Sequence, residues 1–117
     1  MSRRDTKALI EDIQEGIHRI LLYTDGKTHD EFLADLRTQD AVVRNIEIIG
    51  EATKKLPVDF KQDHADIPWK AIAGTRDKLV HDYFGVNYDV VWTIVRNDLP
   101  SLLEQINAVL EDLHRDQ

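Results

Sequence analysis

The feature that most constrains this chain is a helical repeat of apolar residues that recurs in every long segment. Leu9, Ile13, Ile17 and Ile20, with Ile10 and Leu21 beside them, fall three or four residues apart. That spacing puts them on one face of a helix running from about Asp5 to Tyr23. Val42, Ile46, Ile49 and Thr53 repeat the pattern from Asp40 to just before Pro57. Val90, Val91, Ile94 and Val95, then Leu99, Leu102, Leu103, Ile106, Leu110 and Leu113, repeat it again towards the end. No stretch sustains the period-two alternation of a half-buried strand. The chain therefore reads as all-α, most simply an antiparallel bundle of four to five helices. At 117 residues it reads as a single domain, 1–117, long enough to bury roughly two-thirds of its unfolded surface without staples.

Local signals set the joints. Thr24-Asp25-Gly26-Lys27 has the composition of a turn, and Thr28 or His29 opens a short helix with Asp30 and Glu31 in its first turn. Phe32, Leu33 and Leu36 are what that helix has to bury. From Pro57 to Ile67 the chain is polar and reads as irregular. Pro68 suits the first turn of a fourth helix, which needs no N–H there; that helix runs through Trp69, Ile72, Arg76, Leu79 and Tyr83, with Gly85 as a left-handed stop. Asn87 or Asp89 can cap the last helix, which Pro100 must kink or split, with Asn97 and Asp98 able to cap a restart.

Charge and cysteine content remove several functions. The absence of cysteine excludes a disulfide framework, thiolate metal sites and a Cys nucleophile. No apolar run reaches the length of a bilayer span, and Met1-Ser2-Arg3-Arg4-Asp5 leads into an amphipathic segment rather than a signal sequence. A cytoplasmic protein with no membrane partner is the expectation. The net charge of −7 argues against indiscriminate nucleic-acid binding, which runs on Lys and Arg. The acidity lies in the flanks, however. Residues 44–81 carry seven Lys and Arg against six Asp and Glu, so the middle of the chain is close to neutral.

Two Glu-x-x-His pairs, Glu15/His18 and Glu111/His114, have the spacing used by di-metal helical bundles. Glu15, His18 and Glu111 fall well away from their helix's apolar stripe, whereas metal ligands in a bundle must point inward, and His114 sits almost at the chain end. They read as surface residues, and no metal is assigned.

The stretch Gly74–Gly85 concentrates the chemistry. Arg76, His81 and Tyr83 bring a fixed cation, an imidazole and a phenol together within eight residues. On one regular helix Arg76 and Tyr83 share the face of Ile72, Ala73, Leu79 and Val80, and His81 points roughly 140° away. An Arg on such a face needs an anion: a carboxylate such as Glu47 or Glu51, or a ligand. Arg44, Glu47 and Glu51 themselves fall opposite the apolar stripe of their helix, either as a solvated face or as the lining of a cleft. Arg76 and His81 could meet at one small atom if the helix breaks, or if a second copy faces the first across a two-fold axis. The set suits phosphoryl chemistry without a metal or cofactor. His can move a proton to or from a ribose hydroxyl, and Arg can hold the phosphate oxygens. The same residues also fit a snorkelling Arg, a His at a helix C-terminus and a Tyr packed by its ring.

Arg76-Asp77-Lys78-Leu79-Val80-His81-Asp82-Tyr83 resembles the R-x(4)-H-x-Y motif of the HEPN superfamily, in its HepT-like toxin branch. Arg44–Ala52, Ile67–Gly74 and Asp98–Leu102 are similar to that branch as well. The resemblance implies a HEPN-like bundle and a homodimeric, metal-independent endoribonuclease toxin of a type VII-like toxin–antitoxin system. Its composite site would be built where two motifs meet. His81 would then be the general acid/base for attack by the ribose 2′-OH, and Arg76 would steady the phosphate. Arg44, Glu47, Glu51, Asp77 and Lys78 would be supporting cleft residues. The implied partners are an RNA substrate (tRNA or mRNA) and an MNT-type nucleotidyltransferase antitoxin that places AMP on Tyr83. The residue after the motif Arg is often Asn in the superfamily and is Asp77 here, an anion that calls for a cation such as Lys78 beside it. The alternative is a non-catalytic helical dimer that binds and regulates a nucleotidyltransferase; a plain interaction domain is the third reading.

Overall fold

The computed structural model describes residues 3–79 and 85–115, with side chains for all of these but 3 and 4. Its elements are α1 (Arg3–Thr24), α2 (His29–Leu33), α3 (Leu36–Lys55), α4 (Val58–Asp63), α5 (Trp69–Ala73), α6 (Thr75–Leu79), α7 (Tyr88–Thr93), a π-helical turn (Ile94–Asp98) and α8 (Leu99–Arg115). Among the described residues there is no strand. The all-α expectation holds, with more and shorter helical segments than a simple four- or five-helix bundle.

The stripes read from the sequence are the core. Ile10, Ile13, Ile17 and Ile20 of α1, Val42, Ile46 and Ile49 of α3, and Leu99, Leu102, Ile106, Leu110 and Leu113 of α8 are all buried in one contiguous cluster. Helices α1 and α3 pack closely at Gly16. A Cβ built there would stand 2.7 Å from Ile49 Cγ1, so the absent side chain sets how near the two helices lie. Gln14 Nε2 donates to Asn107 Oδ1 at 2.8 Å and ties α1 to α8.

The caps explain the joints. Thr28 and Glu31 form a reciprocal capping box at α2. Asp35 caps α3 through Thr38 N–H, so α3 begins at Leu36 rather than near Asp40. Leu36 consequently sits in the first turn of α3, exposed, and not in the core. Buried Gln39 donates from Nε2 to the carbonyls of Phe32 (3.0 Å) and Leu33 (2.9 Å), which satisfies the end of α2. Asn87, one of the two expected caps, accepts from the N–H groups of Asp89 and Val90 at the start of α7.

Three expectations are corrected. The polar stretch after Pro57 contains α4, anchored by Phe60, whose ring lies 6.1 Å from that of Trp69. Of the kink or split expected at Pro100, the split is not found: α7, the π turn and α8 run on without a gap, and neither Asn97 nor Asp98 caps a restart. Leu99 N–H donates to Ile94 O, five residues back, so the widened turn delivers the chain to Pro100 without the usual clash with a preceding carbonyl. The expected fourth helix is broken at Gly74 into α5 and α6.

The start of the last helix is latched to the α1–α2 turn. Arg96 donates from Nη2 to the carbonyls of Thr24 (3.1 Å) and Lys27 (2.6 Å) and lies 4.4 Å over the Trp92 ring. The His29 ring is parallel to that of Trp92 at 5.8 Å, and its Nε2 meets Asp89 Oδ1 at 2.9 Å.

Candidate active site

The site is built on α3, because α3 faces both α1 and the broken α5–α6 segment. The second approach runs past Gly50. A Cβ there would meet the carbonyls of Ala73 and Ile72 at 3.6 and 3.7 Å, so the end of α5 crosses α3 at van der Waals distance. The chain then turns at Gly74. Thr75 Oγ1 donates back to Ala71 O at 2.8 Å, and the N–H groups of Asp77 and Lys78 reach Gly74 O to begin α6. Ile72 and Leu79 stay buried while Arg76 turns outward, its side chain 64% exposed, so Arg76 does not share the apolar face that an unbroken helix would give it.

Arg76 opens onto a cleft of about 420 Å³ between α1 and α3. Arg44, Glu47, Glu51 and Lys55 of α3 and Leu9 and Asp12 of α1 complete its charged and apolar walls, with Ile48 and Ala52 between them. Arg44, Glu47 and Glu51 all line this cleft, and Arg44 and Glu51 are at the same time open to solvent. Glu47 is the carboxylate that meets Arg76, with Oε2 3.9 Å from Nε. Glu51 is taken up by Lys54 at 3.5 Å. Among the described residues, Arg44 and Lys55 pair with no carboxylate, so the cleft's three cations and three carboxylates leave Arg76 loosely countered and the other two cations open.

The other residues singled out from the sequence do not all join this cleft. Asp77 is exposed on α6 and belongs to neither of the walls around it. Lys78 lines a second cleft of about 300 Å³ on the other side of α6, walled by Ile46, Ile49, Val90 and Ile94. His81 and Tyr83 lie outside the described residues. On either side of them, Asn87 N–H donates to Leu79 O at 2.7 Å, and Gly85 has the positive φ (83°) expected of it. Glu15, His18, Glu111 and His114 are exposed. Among the described residues no group of three or more His, Asp or Glu side chains could hold a metal ion.

Sequence reasoning missed Asp12 and Lys55. Lys55 was readable, since it continues the Arg44, Glu47, Glu51 spacing by one more turn. Asp12 was not, because its place in the cleft depends on which face of α1 lies beside α3.

What this arrangement can do is hold an anion. An exposed guanidinium, with two unpaired cations along the same helix face, offers charge-assisted hydrogen bonds to phosphate oxygens without first having to break a buried ion pair.

The model of the family described as ribonuclease HepT-like matches residues 13–109, nearly the whole of the chain. The chain belongs to the HepT-like ribonuclease family. The match spans α1 to α8 and includes every α3 and α6 residue of the cleft. Among relatives, a protein of Methanocaldococcus jannaschii named as a candidate RNase is 44% identical over 113 residues, 97% of this chain and 93% of its own. A Thermococcus cleftensis protein named as a candidate ribonuclease HepT is 49% identical over 100 residues, 86% of this chain and 91% of its own. A second M. jannaschii protein, named as a gamma-glutamylcyclotransferase and candidate RNase, is 44% identical over 115 residues, and the chain spans 52% of its length. No solved structure gives a significant match. Among the described residues no helix of this HepT-like chain is long and apolar enough to cross a membrane.

Proposed function

We propose that this HepT-like chain is a metal-independent endoribonuclease and the toxin of a toxin–antitoxin pair. The observation that carries the reading is the exposed Arg76 guanidinium on a charged cleft, in a chain whose family is that of HepT-like ribonucleases. In the proposed reaction Arg76 binds the non-bridging oxygens of a scissile phosphodiester and stabilises the charge that grows on them. His81 removes the proton of the adjacent 2′-OH. The 2′ oxygen attacks phosphorus, the bond to the 5′ oxygen breaks, and a 2′,3′-cyclic phosphate is left. The leaving 5′ oxygen needs a proton from the opposite side of the phosphorus. Two copies of the motif facing each other in a homodimer would supply a base and an acid on the two sides, which is the chemical argument for a composite site. Every step runs on the chain's own side chains.

The proposed partner is an MNT-type nucleotidyltransferase that transfers AMP to Tyr83. A nucleotide on that hydroxyl adds negative charge and bulk beside Arg76's motif, where the RNA phosphate must bind. The substrate is tRNA or mRNA, and the net charge of −7 favours one presented in a defined shape over indiscriminate binding. The action is cytoplasmic. The test is expression without the partner: growth should arrest, and Arg76→Ala or His81→Ala should relieve it. Equal toxicity of His81→Ala would sink the proposal. Co-expression with the nucleotidyltransferase should add whole AMP units to the intact mass of the wild type and none to Tyr83→Phe.

A further inference from the structure

Glu47 stands where Arg76 must exchange one anion for another. Its carboxylate reaches Arg76 Nε at 3.9 Å, the outer edge of ion pairing, and both side chains remain open to water, 37% and 64% exposed. A pair this long and this solvated holds weakly. Of the cleft's carboxylates Glu47 is the one within ion-pairing distance of Arg76; Glu51 stands against Lys54 at 3.5 Å, and Asp12 is on the α1 wall. A carboxylate and a phosphodiester compete for the same guanidinium N–H groups. Arg44 and Lys55 lie on the same face of α3 without partners among the described residues, so they can take flanking phosphates that a lone small anion does not possess.

We propose that Glu47 is a displaceable counter-ion: it holds Arg76 over the cleft in the free chain and yields it to an RNA phosphodiester, and so sets substrate affinity. The identity of the anion rests on the ribonuclease reading above. Glu47 acts through Arg76 and is a positioning residue. A single phosphate must displace it unaided, whereas a strand that also engages Arg44 and Lys55 brings further attraction to the exchange. The cleft thereby favours polyanions over free phosphate, without any net positive charge on the chain.

The test is fluorescence anisotropy with a short labelled 2′-O-methyl oligoribonucleotide, which keeps the phosphates but lacks the attacking hydroxyl. Wild type, Glu47→Gln, Arg76→Ala and the double variant are compared at low salt. Glu47→Gln should tighten binding about two- to five-fold, the range an exposed pair can supply. In the Arg76→Ala background that gain should fall to less than half, since the residue being competed for is gone. On cleavable RNA the same variant should act chiefly on KM, lowering it by a larger factor than any change in kcat. Unchanged or weaker binding by Glu47→Gln, or a gain undiminished without Arg76, overturns the proposal. A wild type that binds through Arg76 and shows the coupling but cleaves no RNA would sink the ribonuclease reading and leave the counter-ion role standing. A wild type that cleaves RNA with no change of affinity in Glu47→Gln would do the reverse.

Discussion

Replacing Gly16 by Ala tests the contact on which the whole cleft depends, the close approach of α1 to α3. Two effects oppose each other. Helix propensity favours the change, because Ala is better than Gly inside a helix by about 1 kcal/mol. Packing opposes it. The new methyl would stand 2.7 Å from Cγ1 and 3.1 Å from Cδ1 of Ile49, and Cγ1 is the stem of a buried side chain rather than a flexible tip. Forcing a methyl into such a contact costs about 1–3 kcal/mol. Packing therefore wins, by roughly 1 kcal/mol at mid-range. For a chain of this length that lowers Tm by about 4 °C, taking an unfolding entropy of roughly 2 cal/mol/K per residue. Urea unfolding of Gly16→Ala, Ile49→Ala and the pair measures the coupling. With Ile49 truncated the methyl has room, and Gly16→Ala should then stabilise by about 1 kcal/mol. A Tm that rises by about 4 °C in the single variant would mean that propensity alone governs the site, and would refute the reasoning.

Arg96→Lys should destabilise nearly as much as Arg96→Ala, by about 1–2 kcal/mol in thermal unfolding, because an ammonium cannot bridge the two carbonyls and stack on Trp92 together. Asp35 accepts from the hydroxyl and N–H of Thr38 and pairs with Lys27, which together hold its pKa down at about 2 against an ordinary 3.8. A carboxyl depressed on folding contributes stability above its unfolded pKa and loses it as pH falls through the folded one. Between pH 4 and 2, therefore, Asp35→Asn, which keeps a capping oxygen, should show a shallower fall of urea midpoint than the wild type.

How much of this was legible in the sequence follows from which interactions are local. The long helices were readable because each has one apolar face, and Ile13, Ile17, Ile46 and Ile106 are buried where their spacing puts them. Caps were readable at Thr28 and Asn87 because a cap is decided within four residues. Helix α4 was not, since Phe60 is its one large side chain packed on the core and Val58 is exposed, so no stripe forms. The break at Gly74 was the costliest miss. Whether a glycine interrupts a helix depends on what passes beside it, here α5 crossing Gly50 of α3, and that contact joins residues far apart in sequence. Arg76's need for an anion was legible, with Glu47 or Glu51 as the carboxylates within reach, and the structure pairs it with Glu47. The cleft wall from α1 was not, because periodicity gives the faces of a helix but not its neighbour.

The reaction proposed for this HepT-like chain is RNA cleavage through its own side chains by 2′-OH attack. The direct measurement is the chemistry of the ends left on a short RNA by purified protein in EDTA. Cleavage should leave 2′,3′-cyclic phosphate and 5′-hydroxyl ends, stop where the scissile ribose is 2′-deoxy, and be lost in Arg76→Ala and His81→Ala. Cleavage that proceeds at a 2′-deoxy position, or that survives removal of His81, would contradict it.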